Sequence, residues 1–140
     1  MYKFLFHLHH YLPYLLFFFL LTGFLLSAQG LVSTRSHSKI DKRMSLFLMI
    51  LSHFQFLIGV CLYFISPMIL PFKEAMANSM TRLYKLEHPV MMIFIVFILT
   101  IIHLKTKKEE NFNSHKKKLI SYFLVIVILF FGIPWENWIF

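Results

Sequence analysis

Residues 15–26 are LLFFFLLTGFLL, twelve positions without one charged side chain. They are the most apolar part of a longer stretch, Phe4–Val32, that contains no Lys, Arg, Asp or Glu. A helix needs about 20 apolar residues to cross roughly 30 Å of hydrocarbon. The stretch therefore predicts a membrane-spanning helix at about residues 4–32.

Three further apolar segments predict spanning helices of the same kind. They lie at about residues 44–65, 88–104 and 119–138, the last one including Trp135 and Trp138. A short interfacial helix is predicted at about residues 73–86, between the second and third spans. The sequence thus predicts an all-α fold, an integral membrane bundle of four transmembrane helices, with residues 1–140 forming a single domain.

The composition excludes several classes of protein. Hydrophobic residues make up 59% of the chain and charged residues only 14%, against about 25% charged in a typical soluble domain. The net charge of +8 arises from short basic runs between apolar stretches, as in the loops of a membrane protein. We therefore expect the lipid bilayer as a partner, and we expect no nucleic acid. The sequence has no phosphate-binding loop, zinc-type spacing or nucleophile–base pair, and its loops are short. We therefore do not expect a stand-alone enzyme.

The basic residues also predict an orientation. The first and third connections, residues 33–43 and 105–118, hold ten of the fourteen Lys and Arg residues. The positive-inside rule places both connections in the cytoplasm and both termini outside. A second interpretation makes the first segment a cleaved signal peptide, since Ala28-Gln29-Gly30 has a small-x-small pattern. The excess of basic residues after the segment favours a retained helix.

Histidines are the side chains best suited to chemistry in this chain. His88 opens the third predicted helix, and a cluster opens the first: His7, His9 and His10. Haem held by two histidines needs ligands at one depth on facing helices. His88 and the cluster share such a depth, and we favour His9 as the second ligand. Pro13 leaves two geometries open, a first helix that begins near Leu12 or one that is kinked there.

The second predicted helix offers two further features. His53 lies near the middle of this helix. It is interpreted either as a buried, hydrogen-bonded histidine or as a group that binds a metal or haem or transfers a proton. A small and polar face runs along the same helix and predicts helix packing. Its members are Ser52, Gln55, Gly59, Tyr63 and Ser66. His53 points away from this face.

Several short motifs resemble a family of small four-helix membrane proteins of Bacteroidota commonly labelled "cytochrome B". They are FLFHLHHYL (4–12), DKRMSLF (41–47), SHFQFLIGVCLYFISP (52–67), RLYKLEHP (82–89), SHKKK (114–118) and IPW (133–135). The chain has Pro13-Tyr14 where that family usually has an Arg-Trp pair.

The resemblance implies a b-type cytochrome in a bacterial inner membrane. By motif, the cofactor-binding candidates are His7, His9, His53 and His88, with Glu87 and His115 as further matches. His9 and His88 would ligate the haem iron.

Three functional hypotheses follow. The first is an electron-transfer or haem-binding subunit that uses a b-type haem and exchanges electrons with a membrane redox partner or quinone pool. The second is a non-catalytic membrane subunit or assembly factor with structural histidines. The third, a proton or ion pathway through His53 and Gln55, ranks last because every Asp and Glu falls in a loop or at an interface.

The orientation can be tested with reporter fusions. Fusions after Ser36 and after Asn111 should both report a cytoplasmic location, because both points lie in basic connections. Opposite results at the two points would require an odd number of spans between them and would contradict the four-helix prediction.

Overall fold

The computed structural model describes residues 1–66 and 71–135, and its regular structure there is entirely helical. The elements are α1 (Tyr2–Val32), α2 (Lys39–Ile65), α3 (Phe72–Met76), α4 (Ser79–Arg82), a π-helical turn (Leu83–Glu87), α5 (His88–Thr106) and α6 (Asn113–Gly132). The predicted all-α class is confirmed. Among the described residues, three helical stretches are long and apolar enough to cross a membrane: Tyr2–Val32, Lys39–Ile65 and Ser79–Thr106.

The four long helices close into a ring. α1 packs on α2 and α6, and α5 packs on the same two helices. α1 and α5 are therefore diagonal to one another, and both begin at what we call the N-terminal end of the bundle. α2 and α6 begin at the opposite end, which we call the basic end. The interior is apolar at its centre, where the buried side chains are Leu20, Leu48, Ile95, Leu99, Ile102, Tyr122 and Val125.

The outside of the ring is as apolar as its interior. Exposed side chains include Phe18, Phe97 and Phe130, each more than 60% accessible. A soluble monomer rarely carries apolar patches of this extent. Together with three helices that are long and apolar enough to cross a membrane, this surface indicates a membrane protein.

A structured turn joins α1 to α2. Thr34, at a φ of 51°, occupies the left-handed position of a Schellman motif, in which Arg35 N–H donates to the Gly30 carbonyl. Arg35 then forms a two-pronged ion pair with Asp41, at 2.9 and 3.1 Å. Ser38 and Asp41 cap α2 reciprocally. This capping box starts α2 at Lys39, five residues before the predicted start at 44.

The third and fourth helices also differ from the prediction. The predicted interfacial helix is divided into α3, α4 and the π-helical turn, which runs directly into α5. Pro89 has no N–H for a regular α-helical ladder, and the wider π turn lies immediately before it. α6 begins at Asn113 rather than 119 and ends at Gly132, because Pro134 cannot continue it. The predicted end at Trp138 lies outside the described residues.

Gly30 of α1 allows α6 to approach closely. A Cβ at this position would lie 2.5 Å from Cε1 and Nδ1 of His115, whose side chain is fully buried. The imidazole is a rigid ring with no accessible surface, so it cannot move aside without disturbing α6. Gly30 therefore fixes the spacing of α1 and α6 at the basic end.

Replacement of Gly30 by alanine should destabilise the protein. Alanine favours a helix over glycine by about 1 kcal/mol, but the clash with His115 should outweigh this, since overpacking costs about 1–3 kcal/mol. Thermal unfolding in detergent would measure the change. Gln29→Ala, at the exposed neighbouring position, is the control and should stay near wild type. A Gly30→Ala protein as stable as wild type would show that His115 moves freely.

Candidate functional site

Two histidines meet inside the N-terminal end of the bundle. His9 of α1 and His88 of α5 come from diagonal helices, and their ring centroids are 6.2 Å apart with ring planes inclined at 79°. Both side chains are half-buried, and each makes a hydrogen bond to one of the other two long helices, His9 to α2 and His88 to α6. The structure therefore brings together the two residues predicted to ligate haem iron.

Pro13 determines what holds His9. In a regular helix the N–H of residue 13 would donate to the carbonyl of residue 9, but proline has no N–H. The freed His9 carbonyl instead accepts a hydrogen bond from Gln55 Nε2 of α2, at 2.9 Å. The same nitrogen lies 3.0 Å from His9 Nδ1. α1 nevertheless continues through Pro13 as one helix from Tyr2 to Val32, which corrects the alternative that it begins near Leu12.

Pro134 has the equivalent effect on His88. It ends α6, so the last carbonyls of that helix lack their intrahelical donors. His88 Nδ1 donates to the Gly132 carbonyl at 2.7 Å, and Trp135 Nε1 donates to the Phe130 carbonyl at 2.8 Å. The IPW motif thus terminates the helix and presents an acceptor to His88. With its proton on Nδ1, neutral His88 keeps a lone pair on Nε2.

Glycine and glutamine of α2 complete the surroundings of His9. A Cβ at Gly59 would lie 3.0 Å from His9 Cε1, so only glycine leaves the ring unhindered on this side. Gln55 is 8% exposed, and its Oε1 has no hydrogen-bond partner among the residues that the structure describes. Each of the four long helices therefore contributes to the site. α1 provides His9, α2 provides Gln55 and Gly59, α5 provides His88, and α6 provides the Gly132 carbonyl.

The other sequence candidates lie elsewhere. His7 is exposed and stacks on Tyr11 at 6.4 Å. His53 is exposed as well, and its Nδ1 lies 2.7 Å from the Met49 carbonyl of its own helix. Its position gives no support to the expectation that it serves a cofactor inside the bundle. Glu87 pairs with Arg82 at 2.7 Å, so the acceptor for His88 is the Gly132 carbonyl instead.

Protein side chains alone do not complete a metal site. Within residues 1–66 and 71–135, no group of three or more His, Cys, Asp or Glu side chains is arranged to hold a metal ion. The His9–His88 pair supplies two nitrogen donors from separate helices. Such a pair suits a metal whose remaining ligands come with the cofactor itself, as they do in haem.

A second polar cluster lies at the basic end, and sequence reasoning missed it. His37 lies in the first basic connection, yet it is only 4% exposed, and the centroid of its ring is 5.5 Å from that of fully buried His115. Lys118 is 1% exposed and donates to the Asp41 carbonyl. His103 is hydrogen-bonded to Ser45 at 3.0 Å. The sequence did carry a signal for this cluster, because its polar residues on α6 recur at helical spacing and so share one face. They are Ser114, His115, Lys118 and Tyr122.

Burial of His37 makes the stability of the basic end depend on pH. Burial lowers the pKa of His37 below its ordinary value of 6.5. The hydrogen bond to the Glu109 carbonyl raises the pKa, but by less. The unfolded chain then binds the proton more tightly than the folded one, so stability falls as the pH drops below about 6.5. Thermal unfolding should shift to lower temperature between pH 7.5 and pH 5.5.

His37→Asn should reduce this pH dependence, because an amide can still donate to the Glu109 carbonyl but does not titrate. His7→Asn, at the exposed histidine of the other end, is the matched control and should keep the wild-type slope. An unchanged slope in His37→Asn would assign the effect to other groups.

The chain was also compared with known proteins. No protein-family model matches it, and no curated protein and no solved structure shows significant similarity to it. The resemblance to the "cytochrome B" family therefore stays a prediction.

Proposed function

We propose that this protein is a membrane-embedded b-type cytochrome-like subunit that binds haem between His9 and His88 and transfers electrons. The observation that carries the proposal is the meeting of these two imidazoles across the bundle, at 6.2 Å between ring centroids. His9 and His88 would hold the iron through one ring nitrogen each, since they are the two imidazoles that the fold brings together at this end of the bundle.

The hydrogen bond of His88 supports a ligand role. Metal-bound histidines almost always donate the other ring nitrogen to a carbonyl or carboxylate, which orients the ring and raises its basicity. His88 Nδ1 makes this contact with the Gly132 carbonyl at 2.7 Å. Its Nε2 lone pair is then available for iron. The chemistry that haem supplies when bound is one-electron transfer at the iron.

His9 requires one local rearrangement for the same role. Gln55 Nε2 is a donor, so its contact with His9 Nδ1 leaves the proton of neutral His9 on Nε2. A half-turn of the Gln55 amide would bring Oε1, which has no partner within the described residues, next to Nδ1–H. His9 Nε2 would then carry a lone pair. Gln55 therefore acts as the positioning residue of the proposed site.

We further propose that α6 is a fourth span, in a bacterial inner membrane with both termini outside. α6 packs on α1 and α5, both within stretches of membrane-crossing length. Its first turns carry three lysines, but its remaining residues, Leu119–Gly132, are uncharged. The ten-to-four division of Lys and Arg supports the orientation. A membrane redox partner or the quinone pool would exchange electrons with the site.

The competing function is a non-catalytic membrane subunit with structural histidines. The Gln55 contacts favour it, since they tie α1 to α2 without any cofactor. In that case His9 and His88 would serve only to hold the N-terminal end together.

Absorption spectroscopy of the purified protein, oxidised and then reduced with dithionite, separates the two functions. The wild-type protein, expressed with adequate haem supply, should show sharp reduced α and Soret bands. His88→Ala and His9→Ala should abolish the bis-histidine spectrum or convert it to a high-spin form, because each removes one of the two histidines that would hold the haem. His88→Met should retain haem and raise its potential, since methionine–histidine ligation does so.

His53→Ala is the matched control, because His53 is exposed on the outer face of α2 and its Nδ1 donates to the Met49 carbonyl of its own helix. It should leave the spectrum unchanged. Size-exclusion profiles of all variants would establish that they remain folded. A wild-type protein without haem, or haem retained in both alanine variants and lost in His53→Ala, would refute the proposed site.

A further inference from the structure

A groove runs along the outer surface between α5 and α6 towards the basic end. Its volume is about 630 Å³, and two lysines, one from each helix, lie at its mouth. Its walls are lined by Phe97, Ile98, Ile101, Ile102, Ile120, Ser121 and Leu124. From Phe97 to Lys105 the groove follows nine residues of α5, a rise of about 12 Å along the helix.

The mouth of the groove is positively charged. Lys105 is exposed and makes no ion pair within the described part of the chain. Lys117, on the facing helix, pairs with Glu109 at 2.5 Å, and Glu109 also accepts from Ser114. Glu109 thus offsets part of the charge of Lys117 and leaves Lys105 uncompensated. The basic end as a whole holds ten Lys and Arg against three carboxylates, those of Asp41, Glu109 and Glu110.

We propose that this groove binds one anionic phospholipid, with an acyl chain against Phe97, Ile101 and Leu124 and the phosphate between Lys105 and Lys117. An apolar channel of this length with two cations at one end matches an amphiphile that carries its negative charge at one end. Basic pockets between membrane helices bind anionic head groups in this way. The site is separate from the His9–His88 pair and does not depend on the proposed haem.

Charge disfavours a second copy of the chain as the occupant. A parallel copy packed on this groove would bring its own basic end beside Lys105 and Lys117, and like charges would repel. A zwitterionic phospholipid would fill the apolar part equally well but would gain less from the lysines. The proposal therefore commits to a lipid of net negative charge.

Phosphatidylglycerol and phosphatidylcholine added to the full-length protein in detergent test the proposal, with bound lipid counted by native mass spectrometry. Phosphatidylglycerol should bind in a 1:1 complex and raise the unfolding temperature more than phosphatidylcholine does. The double variant Lys105→Gln/Lys117→Gln should bind it roughly five- to 25-fold more weakly, since each lysine near an anionic lipid contributes a factor of about five. Inorganic phosphate alone should not raise the unfolding temperature, because the acyl chain supplies the apolar contacts.

Lys39→Gln/Arg43→Gln is the matched control. It removes the same charge from exposed positions of α2 at the same end, outside the groove, and should bind phosphatidylglycerol like wild type. Ser121→Phe fills the groove without changing charge and should weaken binding as well. The proposal would be overturned if the two charge variants lost affinity for phosphatidylglycerol equally, or if inorganic phosphate raised the unfolding temperature as much as the lipid does. It would also be overturned if the lipid-free protein were a dimer that Ser121→Phe dissociates.

Discussion

A backbone carbonyl inside a membrane needs a hydrogen-bond donor, and this requirement organises the N-terminal end of the bundle. Water is absent from the hydrocarbon region, so an orphaned carbonyl there costs several kcal/mol. Pro13 and Pro134 each deprive backbone carbonyls of their helical donors, Pro13 in the first half of α1 and Pro134 just beyond the end of α6. Gln55 and His88 provide the donors. Both bonds run between neighbouring helices, and together they hold the two imidazole rings edge to face, 6.2 Å apart between centroids.

The basic end is held by a different set of interactions. There, charged groups cap and join the helices: Arg35 pairs with Asp41, and Lys118 reaches the Asp41 carbonyl from α6. Close packing adds to this, since His115 lies directly against Gly30. This end is therefore determined by electrostatics and steric fit. The region between the two ends depends mainly on apolar packing around Leu48 and Leu99.

The sequence predicted the helices better than it predicted their faces. Long uncharged runs identify spanning helices because the length of a span is set by the bilayer. The predicted packing face of α2 was right at Ser52 and Gln55, which are buried. Apolar positions gave no such information, because hydropathy does not distinguish an outward from an inward position when lipid and core are equally apolar. His53, one position from Ser52, points away from this face as predicted, and it is exposed although it is polar.

The errors at the helix starts have the same origin. Charge at Asp41, Lys116, Lys117 and Lys118 indicated loops, because a charged residue in a membrane helix is costly. In the structure Asp41 belongs to a capping box and Lys118 is buried against a carbonyl. The charged groups of both residues are hydrogen-bonded within the fold, and a hydropathy pattern does not reveal such partners. The pairing of His37 with His115 depends on the turn after α1, whose geometry is fixed by Thr34 and Arg35.

Pro13 links the sequence most directly to the state of the candidate site. With any other residue at position 13, a backbone N–H would take the His9 carbonyl, and α1 would be a regular helix there. Gln55 would then have only the His9 ring as its partner and would be free to turn its oxygen towards Nδ1. Because Pro13 leaves the His9 carbonyl without its helical donor, the Gln55 nitrogen donates to that carbonyl and stays beside His9 Nδ1. This arrangement favours the form of His9 that carries its proton on Nε2. If His9 holds haem iron as proposed, that binding would compete with the hydrogen bond between Gln55 and the His9 carbonyl, and Pro13 would lower the affinity of the site.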